Sequence, residues 1–159
     1  MSILLIDGLN LIRRVHAGVP EVSEDRDDAV LNACVASMRR ALRRHLPSHA
    51  LLVMEEAGPS WRSREYPDYK KDRPPMPDDL SAGLPKIKEA LREGGGHELS
   101  APGLEADDVI ASIAKRTSSS GLQVVILSTD KSFCQLVSDQ IMLVAVSYTH
   151  LTLPTTPYV

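Results

Sequence analysis

Ile3-Leu4-Leu5-Ile6-Asp7, at the start of the chain, is four apolar residues in a row closed by an acid. A strand with one wet face alternates apolar and polar residues, whereas a strand covered on both faces does not. The run therefore reads as an inner strand of a parallel sheet, with a carboxylate at its C-terminal end. Two further runs repeat the pattern. Ala50–Met54 is followed by Glu55 and Glu56, and Leu122–Leu127 is followed by Ser128-Thr129-Asp130. Ile141–Val146 is a fourth candidate strand and His97–Leu99 a shorter one.

Helical spacing fills the intervals. In Asp27–Leu46 the apolar positions Val30, Ala33, Cys34, Met38, Ala41, Leu42 and Leu46 form one stripe. Arg39, Arg40, Arg43 and Arg44 fall mostly off it and read as a solvated face. Asp79–Glu93 turns Leu84, Ile87, Ala90 and Leu91 inward, and Gly94-Gly95-Gly96 closes it. Glu105–Arg116 turns Val109, Ile110, Ile113 and Ala114 inward, and Lys131–Val137 is a short fourth helix. Strands alternating with helices predict an α/β fold with a mainly parallel central sheet flanked by helices.

Bulk composition narrows the class. With 159 residues, 43% hydrophobic and 25% charged, the chain suits one soluble globular domain. Aromatics are only 4%, so the core must come from Leu, Val, Ile and Ala. No apolar run approaches the ~20 residues of a membrane span, and the N-terminus lacks the basic flank and length of a signal peptide. Cys34 and Cys134 suggest neither a disulfide framework nor a zinc site and read as small core residues. His16, His45, His49 and His97 have no spacing that suggests a ligand set. These features predict a cytoplasmic protein.

Residues 55–77 break the alternation. The stretch is polar, basic and proline-rich, and a connection of that length is usually functional or disordered. It holds Trp61, Tyr66 and Tyr69, three of the six aromatics in the chain, interleaved with Arg62, Arg64, Lys70, Lys71 and Arg73. Aromatics stack on bases while cations meet phosphates. A net charge of −3 conceals this segregation of charge. The end of the chain also differs. Residues 147–159 are Thr- and Pro-rich without acid, Lys or Arg, and read as a non-native tail on a domain spanning 1–146.

Asp7, Glu55, Glu56 and Asp130 follow strands, and the C-terminal edge of an open parallel sheet is where ligands bind. Glu105, Asp107 and Asp108 stand at the start of a helix that can lean over that edge. Singly, each has an ordinary role as turn residue, helix cap or dipole partner. Together they repel one another unless a cation intervenes, and oxygen donors select Mg²⁺, or Mn²⁺, over zinc.

Four motifs then carry a resemblance. They are Leu5-Ile6-Asp7-Gly8-Leu9-Asn10-Leu11-Ile12-Arg13-Arg14, Tyr66-Pro67-Asp68-Tyr69-Lys70 with Arg73-Pro74-Pro75-Met76-Pro77, Glu105-Ala106-Asp107-Asp108, and Ser128-Thr129-Asp130-Lys131. In this order they resemble the 5′-nuclease domain of bacterial DNA polymerase I and of free-standing flap endonucleases, over residues 1 to about 145. The resemblance implies a PIN-like domain with a basic arch that admits a single-stranded 5′ end, acting as a monomer on DNA with a 5′ flap. It implies that Asp7, Glu105, Asp107, Asp108 and Asp130 hold a first metal ion, directly or through water. Lys70 and Arg73 match residues that hold the scissile phosphate, and Arg13 matches a DNA contact. With the insert's own composition, the expected DNA-binding set is Arg13, Arg62, Tyr69, Lys70, Lys71 and Arg73.

Three departures qualify the match. Glu55 stands where the family usually has Asp, so its longer arm shifts any ion it binds. Ser132 replaces an acid of the second metal site. Nothing corresponds to the family's helix–hairpin–helix region, so the chain reads as truncated. Two alternatives stay open, a module that holds a flap without cutting it and a PIN-type ribonuclease.

Overall fold

Five parallel strands form one sheet in the order β3-β2-β1-β4-β5. They are β1 (Ser2–Asp7), β2 (His49–Val53), β3 (His97–Leu99), β4 (Gln123–Leu127) and β5 (Ile141–Val144). The computed structural model describes residues 1–22 and 24–145. The expected tail at 147–159, the domain boundary at 146 and the last residue of the strand expected over 141–146 lie outside them.

The first strand occupies the middle of the sheet, as its unbroken apolar run requires. Ile6 pairs with Leu52 of β2 and with Leu127 of β4. Its side chains alternate between two cores. Leu4 and Ile6 pack against α1 (Gly8–Gly18), α2 (Arg26–His45) and α4 (Asp78–Glu93), through Leu11, Ile12, Val30, Met38, Ile87 and Leu91 among others. Leu5 faces the opposite core with Val53, Ile126, Phe133 and the Val109 and Ile110 of α5 (Ala106–Ser119). Asp7 has the parity of Leu5, so it emerges on the α5 side of the sheet.

The helix α1 follows β1 without a loop, and the sequence reading leaves residues 8–18 without an element. Only Leu11, Ile12 and Val15 mark its buried stripe, and Asp7 serves both as strand end and as N-cap. Gly8 makes the direct junction possible. A Cβ there would lie 2.2 Å from the Met54 sulfur and 3.0 Å from the Val53 carbonyl oxygen. The backbone contact cannot move away as a side chain can. Gly8→Ala is therefore expected to destabilise the fold by about 1–3 kcal/mol. A urea titration should show a lower midpoint at unchanged slope, and an unchanged midpoint would remove the close approach as a constraint.

Other expectations need correction. Leu46 is not part of the buried stripe. It is 80% exposed and caps α2 in the left-handed conformation, φ 44°. Cys134 is exposed, whereas Cys34 is buried as expected. Residues Lys131–Leu136 form a 3-10 helix, tighter than the expected α-helix. The third helix begins at Ala106, with Glu105 outside it as N-cap. The irregular insert contains one short helix, α3 (Trp61–Glu65), capped by Ser60. No helix among the described residues is long and apolar enough to cross a membrane.

Candidate metal and nucleic-acid site

Crossovers from β1 run one way to β2 and β3, and β4 and β5 lie on the other side. The switch between the two directions falls at the β1–β4 pair, where an open parallel sheet leaves a crevice beyond its strand ends. Asp7 closes β1, and Asp130 follows β4 and caps the 3-10 helix, accepting from the Ser132 amide at 2.8 Å. A cavity of about 180 Å³ opens here. Four acids line it, Asp7, Glu55, Asp107 and Asp130, and four cations, Arg13, Arg14, Lys70 and Arg73.

The acids are held under electrostatic tension. Burial raises Asp7 from the usual 3.8 to about 6, with repulsion from Asp107 and Asp130 adding to it. The Ser128 hydroxyl, donating at 2.9 Å, and the Asn10 amide at 3.5 Å offset part of that rise. Asp107 is raised as well, first by burial and then by Asp130, Glu105 and Glu55. Carboxylates crowded in this way gain from a cation, and an all-oxygen donor set suits a hard divalent ion. Among the described residues, no three Asp, Glu, His or Cys side chains already form a closed ligand group. An ion here would draw the carboxylates in, or reach some of them through water.

Glu105 and Asp108, expected in the same ligand set, are engaged elsewhere. Arg62 forks onto Asp108 with two bonds of 2.8 Å and also donates to Glu105. Lys70 pairs with Glu105, and the Tyr69 hydroxyl reaches it at 3.1 Å. Trp61 Nε1 donates to Asp108 at 3.2 Å, and the Arg62 guanidinium lies 4.7 Å from the Trp61 ring centre. Burial pushes both carboxyls up, yet these partners outweigh it. Lys70, Arg62 and Tyr69 hold Glu105 below its usual range, and Arg62 and Trp61 do the same for Asp108. The six acids therefore divide into four that face the cavity and two that fasten the insert.

The expected DNA-binding residues divide too. Arg13, Lys70 and Arg73 line the cavity. Arg62 and Tyr69 are tied to the acids of α5. Lys71 is 70% exposed and pairs with Asp68 at 3.3 Å. Lys70 itself sits at φ 56°, a left-handed backbone uncommon for a lysine.

Sequence reasoning gave no role to Asn10, Ser128 or Thr129. The Asn10 amide donates to the Thr129 hydroxyl at 2.9 Å and accepts from the Thr129 amide at 2.9 Å. This exchange ties α1 to the loop after β4 and sets the spacing of Asp7 and Asp130. Two polar residues beside the acids of two separate motifs were the available signal.

Residues 2–156 match the family described as 5′-3′ exonuclease, N-terminal resolvase-like domain. The chain belongs to this family. Among curated relatives it is 46% identical over 142 residues to the flap endonuclease Xni of Shewanella loihica, covering 88% of this chain and 54% of that protein. It is 41% identical over 147 residues to the Xni of Pectobacterium carotovorum, covering 90% and 53%. The chain thus spans about half the length of the curated relatives it matches. Solved structures agree in fold. A zinc-bound 5′-exonuclease of bacteriophage T5 superposes with a TM-score of 0.67 at 18% identity, over 91% of this chain and 55% of that one. A bacteriophage T5 flap endonuclease in a pseudo-enzyme–product complex with DNA and metal ions gives 0.66 at 18% identity over the same shares. The α/β, PIN-like reading of the sequence stands.

Proposed function

We propose that the chain is the catalytic part of a structure-specific 5′-nuclease that hydrolyses phosphodiesters of DNA bearing a 5′ flap or single-stranded 5′ end. The observation that carries this reading is the single small cavity where four carboxylates meet four cations. The cations suit a polyanion, and the carboxylates suit a divalent ion, Mg²⁺ or Mn²⁺, that would assist phosphodiester hydrolysis. The relatives named flap endonucleases and the neighbour bound to DNA and metal ions support the same class. In this reading the chain works as a monomer in the cytoplasm.

Asp7, Asp107 and Asp130 would hold the ion, with Glu55 as a fourth donor and Glu105 and Asp108 behind them. A bound Mg²⁺ supplies an activated water and offsets charge on the phosphate. The protein's own residues do the positioning. Arg13, Arg14 and Arg73 grip backbone phosphates at the cavity wall. Lys70 and Arg73, which line the same cavity, would offset the negative charge that grows in the transition state and so lower the barrier.

Cleavage of a 5′-flap DNA in Mg²⁺, its loss in EDTA, and its loss in Asp107→Asn test the assignment together. The variant should be slower by a factor of about 10²–10³, as for other charge-stabilising groups. Undiminished cutting by Asp107→Asn would sink the metal site. The ion pairs that occupy Glu105 and Asp108 favour one second reading, a domain that holds a 5′ strand without cutting it. Binding that survives EDTA, with no cleavage at any Mg²⁺ or Mn²⁺ level, would select it.

A further inference from the structure

A second cleft adjoins the carboxylate cavity and shares two of its walls. Arg13 and Arg73 line both. Beyond them the cleft opens to about 280 Å³ between α1 and the segment Pro74–Pro77, floored by the buried Leu80. Its surface is mostly apolar, in contrast to the charged cavity next door. Among the described residues, neither shared arginine has an ion-pair partner, whereas Arg26, Arg62, Lys70, Lys88 and Arg92 each pair with an acid. The walls are preformed. Three prolines fix their own backbone φ. His16 is pinned by Asp79 at 2.8 Å, which Arg26 grips in turn at 2.7 Å.

An apolar slot entered between two unpaired arginines matches one nucleotide, with an anion at the mouth and a flat apolar body within. We propose that this cleft seats one nucleobase of the DNA strand, its backbone phosphate lying between Arg13 and Arg73, next to the phosphate at the carboxylates. This rests on the nuclease reading above only in taking DNA as the ligand. Stacking on His, Arg and apolar surfaces uses the face of a base, which all four bases share. The one imidazole in the wall, His16, is already engaged by Asp79. The seat is therefore tolerant of base identity and intolerant of a missing base. Its proline wall is restricted before binding, so the ordering cost falls mainly on the two arginines.

The test is binding of this chain to fluorescent 5′-flap DNA in EDTA, scanned with a single abasic site at each of three positions either side of the junction. One position should weaken binding about tenfold, the scale of one lost stacking contact. Exchanging the four bases there should change it less than twofold. Ala17 lines the cleft and is exposed, so Ala17→Trp fills the slot from the surface of α1. That variant should bind intact DNA about tenfold more weakly and lose all sensitivity to the abasic site. Ala17→Ser leaves the slot open and should keep the wild-type pattern, with thermal melts of both variants reporting the fold. Two results overturn the seat: no position sensitive beyond twofold in the unmodified chain, or an abasic penalty that persists in Ala17→Trp. Cleavage of intact DNA in Mg²⁺ is measured in parallel. Its absence with the abasic pattern intact counts against the nuclease reading and leaves the seat standing.

Discussion

Asp7→Asn is expected to abolish cleavage and, in EDTA, to raise the melting temperature by roughly 5–10 °C. The two effects have one cause. Asp7 is only 6% exposed, and burial with its acidic neighbours lifts it from 3.8 to about 6. Its folded pKa is raised, so the folded state binds more protons than the unfolded chain between those values. Stability from this group is fully present below pH 3.8, falls as pH rises through the window, and is gone above about 6. The rise from 3.8 to about 6 corresponds to about 3 kcal/mol at neutral pH. Asparagine keeps the shape, can still accept from the Asn10 amide and can still bond the Ser128 hydroxyl, while removing the charge. The metal-free chain should also gain stability as pH falls from 7 toward 5, and the variant should lack that share of the gain. Added Mg²⁺ should reverse the ranking, because the complete carboxylate set gains more from the ion than Glu55, Asp107 and Asp130 alone. Melting curves at pH 7 in EDTA and in Mg²⁺ check this. A variant less stable than the parent in EDTA would show that Asp7 is structurally supported as an anion.

Much of this site is legible in the chain because the sheet does the positioning. Unbroken apolar runs such as Ile3–Ile6 and Val124–Leu127 are visible as buried parallel strands, and the segment that follows each strand must lie on one edge. Asp7, Glu55 and Asp130 follow from that alone, and Asp107 from a helix that starts beside the edge. Periodicity is silent where a helix is short and begins without a loop, as α1 does behind Gly8. It is equally silent about which charges meet. Arg62 and Asp108 are 46 positions apart, and no spacing rule connects an irregular insert to the helix it docks on. Hence Glu105 and Asp108 look like two more ligands in the sequence, whereas their nearest partners are Arg62, Tyr69 and Lys70. Side-chain exposure escapes a stripe in the same way at its end. Leu46 continues the apolar rhythm of α2 but stands past the last turn, where the backbone has left the helix.

Arg62→Ala is expected to cost about 2–3 kcal/mol of stability and to slow cleavage more than it weakens DNA binding. Among the described residues the guanidinium is the only side chain that bonds both Glu105 and Asp108, whose side chains are 6% and 20% exposed. Removing one partner of a buried pair leaves the other charge desolvated without compensation, at 3–5 kcal/mol where burial is complete. Arg62 itself keeps 28% exposure, so water recovers part of that cost. The catalytic consequence runs through geometry. Trp61 donates its backbone amide to the Gly103 carbonyl at 2.8 Å, and Arg62 adds the charged tie beside it. Together they fix the start of the insert on α5 and so place Lys70 and Arg73, eight and eleven residues further on, at the cavity. Loosening the tie spreads the positions of both cations over the phosphate, which lowers the rate before it lowers affinity. Arg62→Lys keeps the charge but cannot fork onto Asp108, so it should recover stability only in part. A cycle with Asp108→Ala separates pairing from packing. With the acid gone, Arg62→Ala should cost at least 1 kcal/mol less than in the parent, because one of its two stranded charges is absent. Additive losses across that cycle, or a rate that falls only in step with binding, would mean that the insert is placed by its backbone contact and not by this arginine.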